Sequence, residues 1–147
     1  SYVPMNESWG IPDGAWSAVD EGLCFGDVDH DGRLDLVVCA KGPEGKEKGV
    51  MLLHNDLPKR HWLRVRLEGK AKEREAIGAW LELKAGGVTQ RRQATPNRSY
   101  LSQSELPVTF GLGKADRVES LAVTWPDGGT QPVTVDGIDR EITVTRQ

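Results

Sequence analysis

The sequence predicts an all-β protein, an antiparallel β-sandwich preceded by a short strand–loop–strand unit. Three observations predict it. Short apolar runs with two-residue alternation recur through the second half. Turn residues separate them, and the chain carries 17 Gly and 8 Pro among 147 residues. An aspartate-rich loop at 27–35 lies between two runs of β-forming residues. At 37% hydrophobic and 28% charged residues, the composition excludes a disordered chain. No stretch has the length of an apolar membrane span.

In chain order, residues 1–22 hold Pro4, Gly10, Pro12, Gly14 and Gly22 and read mostly as loop, with a short strand near Trp16 to Val19. No basic-then-apolar secretory segment is visible in Ser1 to Gly10. Strands are expected at 23–27, 34–40 and 50–54, with residues 41–49 as a polar turn. A boundary is expected near Asn55 to Lys59, dividing the chain into 1–59 and 60–147. Beyond it, Leu63, Val65 and Leu67 alternate with Arg64, Arg66 and Glu68, the pattern of a half-buried strand. Similar runs follow at 79–84, 88–94, 108–111, 118–125, 131–135 and 141–145. Gly86-Gly87, Gly111-Leu112-Gly113, Asp127-Gly128-Gly129 and Asp136-Gly137 mark turns between them. Lys70 to Glu75 is the best helix candidate. Leu63, Val65, Leu67, Leu81, Leu83, Val108, Phe110, Leu121, Val123, Val133 and Ile142 are expected in the core.

The run Asp27-Val28-Asp29-His30-Asp31-Gly32-Arg33-Leu34-Asp35 places four carboxylates within nine residues. Unneutralised, they would repel one another. Calcium takes six to eight oxygen ligands in a flexible shell, which suits this spacing. Asp27, Asp29 and Asp31 stand at loop positions 1, 3 and 5, Gly32 permits the sharp turn, Arg33 offers its backbone carbonyl, and Asp35 closes the shell. The ion would be structural. An EF-hand is excluded, because position 12 is Val38 rather than Glu and the flanks are β-forming. The alternative is an acidic solvated turn without metal.

Residues 1–59 carry 5 basic and 11 acidic side chains, a net of −6, whereas residues 60–147 carry 14 and 11, a net of +3. That imbalance is too small to indicate nucleic-acid binding. If Asp27 faces Asp35, Cys24 and Cys39 become cross-strand neighbours, either as a disulfide or as two buried thiols. Arg64 and Arg66 share one side of their strand, and Arg91 and Arg92 sit in an expected neighbouring strand, where one of the two joins that side. These arginines, with Asn97, Tyr100 and Gln103 of the polar segment 96–104, are the candidate ligand-binding residues, and an anionic glycan is the candidate ligand. The alternatives are internal ion pairing with Glu68 or Glu82 for the arginines, and local backbone bonding for the polar segment. Trp9, Trp16, Trp62, Trp80 and Trp125 are sugar-stacking candidates or core anchors.

Phe25-Gly26-Asp27-Val28-Asp29-His30-Asp31-Gly32 with Leu34-Asp35-Leu36 resembles an FG-GAP or VCBS repeat. Such a repeat is one calcium-loop blade of a β-propeller, here single and incomplete. Trp62 to Gly69, Ala76-Ile77-Gly78-Ala79, Ser99 to Ser104, Phe110-Gly111-Leu112-Gly113 and Val123 to Gly128 resemble the ASPIC/UnbV domain. The resemblance implies a C-terminal piece of a longer extracellular, cell-surface or periplasmic protein, with the remaining blades as partners. Of that family's residues, the four loop aspartates and the Arg33 carbonyl carry over as calcium ligands.

No catalytic set is present: no G-x-S-x-G elbow, no HExxH pair among His30, His54 and His61, and no cofactor motif. The expected function is a non-enzymatic, calcium-binding adhesion or protein-interaction module, with a protein or glycan ligand and without membrane insertion. The alternatives are a carbohydrate-binding module for anionic glycans, and an accessory role in secondary-metabolite biosynthesis.

Overall fold

The computed structural model describes residues 19–41, 48–70 and 76–147. Among these the chain forms twelve strands and no helix. The expected helix at 70–75, most of the turn at 41–49, the strand at 16–18, and Trp9 and Trp16 lie outside the described residues.

Strands β1 (Val19–Gly26), β2 (Asp35–Lys41) and β3 (Lys48–Leu53) form an antiparallel three-stranded meander. A second sheet follows the order β11-β10-β5-β6, from Thr130–Val133, Ser120–Thr124, Trp80–Ala85 and Val88–Gln93. A third follows the order β12-β4-β9, from Arg140–Thr145, His61–Glu68 and Val108–Gly113. The inner faces of the second and third sheets meet in one core of Leu63, Val65, Leu67, Leu81, Leu83, Phe110, Leu121 and Val123 with their neighbours. That arrangement is the expected sandwich. All eleven residues expected inside lie in this core or against it, Val133 and Ile142 as partly buried members.

Two features depart from the expected plan. The sheets are not wholly antiparallel, because β12 runs parallel to β4 with Ile142 opposite Val65. The chain leaves β4, builds the opposite sheet with β9 laid antiparallel to β4 on the way, and returns on the other side of β4 in the same direction as β4. Alternation within each strand is the same for either direction, so it carries no signal of this pairing. The second departure is the segment read as a polar loop. It forms a small hairpin, β7 (Asn97–Ser99) with β8 (Ser102–Gln103).

This hairpin region docks on β1. Ser104 Oγ accepts a bond from Phe25 N at 3.1 Å, and Glu105 N donates to Phe25 O at 3.1 Å. A Cβ at Gly22 would lie 3.0 Å from Tyr100 O and overlap the Ser102 hydroxyl, so that approach requires glycine.

The register of β1 and β2 sets Gly26 rather than Asp27 opposite Asp35, so the condition for directly facing cysteines is not met. Cys24 therefore faces Val37, and Cys39 faces Gly22. The cysteines are diagonal rather than direct neighbours and both are free. Cys24 is half-buried, but Cys39 is exposed, contrary to the expected pair of buried thiols.

Candidate metal centre

The acidic loop joins β1 to β2 across residues 27–34, and Asp35 is the first residue of β2. Its turn needs left-handed backbone at His30 (φ 59°) and Gly32 (φ 86°). Carboxylates hold that shape. Asp27 Oδ1 accepts from Asp31 N at 3.0 Å, and Asp27 Oδ2 from Gly32 N at 3.0 Å. Asp29 Oδ1 accepts from Asp31 N at 3.3 Å, and Asp31 Oδ1 from Arg33 N at 2.9 Å. Asp35 ties the loop to the chain after β3. It accepts from Val28 N at 3.0 Å and from Asn55 N at 2.8 Å.

Two overlapping triads result. Ligand atoms of Asp27, Asp29 and Asp31 lie within 4.8 Å of one another, and so do those of Asp29, Asp35 and His54. Asp29 belongs to both. Asp27 and Asp35 are buried, at 5% and 1% exposure, while Asp29 is exposed. Buried carboxylates need compensation by donors or cations. The four expected aspartates are thus brought together. The Arg33 side chain pairs with Asp31 and donates to Leu57 O at 2.7 Å.

His54 was missed in the sequence, where it read as a residue near the domain boundary. Its Nε2 lies 3.1 Å from Asp29 Oδ2 and 3.9 Å from Asp35 Oδ1, and its Nδ1 lies 2.9 Å from Asp56 Oδ1. The bond to Asp29, then that to Asp56, raises the imidazole above its ordinary value. The same bond from His54 lowers Asp29. A side chain that starts just beyond β3 and reaches across to a loop between β1 and β2 leaves no spacing signal.

The donor set suits a hard, oxygen-seeking divalent cation: three loop carboxylates converge, Asp35 approaches Asp29 from the other side, and a glycine makes the turn. The surrounding charge also suits it. Asp27, Glu105 and Glu141 surround one guanidinium, that of Arg64, with Arg66 sharing Glu141 at 2.8 Å. Three anions thus meet two cations beside the loop.

Arg64 is the main correction to the expected arginine face. It is buried at 5% exposure, not solvated. Its Nη1 donates to Asp27 Oδ2 at 3.2 Å, and its Nη2 pairs with Glu105. Its Nε lies 2.9 Å from Glu141 Oε2 without hydrogen-bond alignment. The reason is that β4 is covered on both faces at Trp62 and Arg64, by the sandwich core on one side and by the acidic loop on the other. Trp62 on the same strand lies against Gly32, where an added Cβ would overlap the indole.

The other candidates disperse. Arg66 is exposed and pairs with Glu141 rather than Glu68. Arg91 and Arg92 lie on β6, which pairs with β5 in the other sheet and is not a neighbour of β4. Arg91 stacks over Trp80 at 4.6 Å and Arg92 over Phe110 at 5.7 Å. Asn97 faces Gln103 across the small hairpin, and Tyr100 is 74% exposed at its turn. No single face collects these side chains. Trp125 is a core anchor whose Nε1 donates to Gln131 Oε1 at 3.1 Å.

Residues 69–147 match the family model described as ASPIC and UnbV. The match begins directly after β4 and covers the rest of the sandwich. The chain is also 36% identical over 104 residues to cartilage acidic protein 1 of Xenopus tropicalis. That alignment covers 69% of this chain but 16% of the relative, so the chain spans about a sixth of that protein's length. With more than half of its residues in the family match, the chain belongs to the ASPIC and UnbV family.

Proposed function

We propose that this chain is a non-enzymatic, calcium-stabilised adhesion or protein-interaction module of a longer extracellular protein. The observation that carries the reading is the convergence of Asp27, Asp29 and Asp31, with Asp35 meeting Asp29 from the other side. Calcium would be held by these four carboxylates and the Arg33 carbonyl. Bound there, it would supply positive charge to a loop that Arg64, Arg33 and His54 neutralise in part.

In this reading residues 1–59 are an FG-GAP/VCBS-like blade and residues 60–147 the ASPIC/UnbV sandwich. The outer face of β3 supports the blade assignment, since Val50 is 70% and Leu52 52% exposed. Apolar side chains so exposed suit a sheet that packs against further sheet in a longer chain. The relative named for cartilage supports an extracellular setting, and its greater length supports a multi-domain parent. The non-enzymatic assignment rests on the lack of a nucleophile, base or cofactor motif in the sequence.

Calorimetry on chelator-stripped protein tests the reading. One calcium ion should bind at submillimolar to millimolar levels, and the melting temperature should rise with calcium, as linkage requires. Absence of both effects refutes the assignment.

A further inference from the structure

A groove lies along the seam between the acidic-loop unit and the sandwich. It consists of three successive cavities of about 580, 430 and 260 Å³. The first and second share Arg60, His61 and Trp62, and the second and third share Leu34, Arg92 and Thr109. Lys59, Arg60 and Lys114 line the first cavity, Arg92 the second and third, and Arg98 the third.

The charge accounting along this groove is uneven. Its acidic linings have cationic partners, Asp31 with Arg33, Asp139 with His61 and Glu105 with Arg64, although Glu105 pairs through Oε2 alone and its buried Oε1 has no hydrogen-bond partner among the described residues. None of the five cations forms an ion pair with a carboxylate among the described residues. Arg92 stacks on Phe110, and Arg98 donates to Gln93 O at 3.3 Å. Thr109 adds a buried hydroxyl without a hydrogen-bond partner among the described residues. A protein of net charge −3 thus keeps a line of uncompensated cations in one concave strip.

We propose that this groove binds an extended sulfated polysaccharide, with Lys59, Arg60, Lys114, Arg92 and Arg98 contacting successive sulfates. A linear array suits a chain with repeating charge better than a single small anion, and guanidinium forks match sulfate oxygens. A single-stranded nucleic acid would need open aromatic faces for its bases. The Trp62 indole is seated on Gly32 and the shared His61 ring is paired with Asp139, which leaves Phe25 of the third cavity as the exposed ring rather than a row of them. An acidic peptide added to the β9 edge would need free backbone groups. The Gly111 carbonyl there already accepts from Gln90 Nε2 at 2.7 Å. The groove borders the acidic loop, with Asp31 lining its first cavity and Arg33 its second, but none of the five cations is a proposed metal ligand.

The test is titration of the whole chain with a heparin octasaccharide, in calcium and again in chelator. The Lys59→Ser/Arg60→Ser double variant should weaken binding by about tenfold, since rim charges lost from a complementary site reduce affinity and association. Both side chains are exposed, so folding should be retained. The Arg66→Ser/Arg91→Ser variant removes equal charge outside the groove and should stay within about twofold of the parent. Lys114→Glu should weaken binding in the same direction as the first variant. Added salt should weaken the parent steeply, because exposed charges are screened within about 10 Å at 0.1 M. Equal losses in the two double variants overturn the proposal, as does binding in neither buffer. Equal or tighter binding of poly-glutamate or single-stranded DNA overturns the choice of a sulfated glycan.

Discussion

The indole of Trp62 rests on Gly32, so the first strand of the sandwich and the turn of the acidic loop share one contact surface. Gly32 serves two demands at once. Its φ of 86° suits glycine, and its missing Cβ makes room for the ring. Gly32→Ala should cost about 2–3 kcal/mol, combining backbone strain with the displaced indole. In a Trp62→Ala background the same change should cost about 1 kcal/mol, the backbone part that remains. Urea denaturation of the four proteins measures the difference. Equal costs in both backgrounds would show that the ring is not seated on the loop.

Arg64→Met should destabilise the protein by about 3–5 kcal/mol, because Asp27 and Glu105 lose their buried counter-charge. Adding Asp27→Asn should recover part of that loss. A cost under about 1 kcal/mol would place the pair among solvent-screened surface bridges.

Asp35 and Asp29 should separate the two roles of the loop. Asp35→Ala removes the acceptor of the part-buried amides of Val28 and Asn55 and should cost about 1–3 kcal/mol even in chelator. Asp29→Ala removes an exposed group and should leave the melting temperature in chelator nearly unchanged. The rise on adding calcium should nevertheless disappear in Asp29→Ala. A full calcium response in that variant would remove Asp29 from the ligand set.

Asp139 lies at φ 57° and accepts from Trp62 N at 3.0 Å and from His61 Nδ1 at 2.8 Å. Desolvation acts to raise its carboxyl, but the His61 and Trp62 bonds prevail and hold it below the ordinary 3.8. A carboxyl depressed on folding contributes stability above its unfolded value, lost as pH falls through its folded value. Asn tolerates the same backbone and keeps an acceptor. The stability gap between the parent and Asp139→Asn should therefore be flat above about pH 5 and shrink below pH 3.8. Denaturant melts at several pH values check this. A gap that widens in acid would contradict it.

Much of the sandwich was legible in the sequence, because burial on one face of a strand writes a two-residue alternation. Leu63, Val65 and Leu67 announced β4, and the eleven core residues followed from the same rule. The Asp27–Asp35 cluster was legible because its carboxylate spacing is local, set by one turn and one glycine. What required tertiary structure is what alternation does not encode, namely which element lies on a strand's second face and which strands become neighbours. Arg64 and Arg66 read alike in sequence, yet Asp27 and Glu105 cover the first while the second stays exposed. Arg92 was expected beside β4 and instead lines a seam shared with Arg60 only through the fold. His54 joins Asp29 and Asp35 because β3 ends beside the loop, a proximity set by strand pairing rather than by residue spacing. The parallel return of β12 beside β4 is of the same kind, since a strand's pattern records its faces and not its direction.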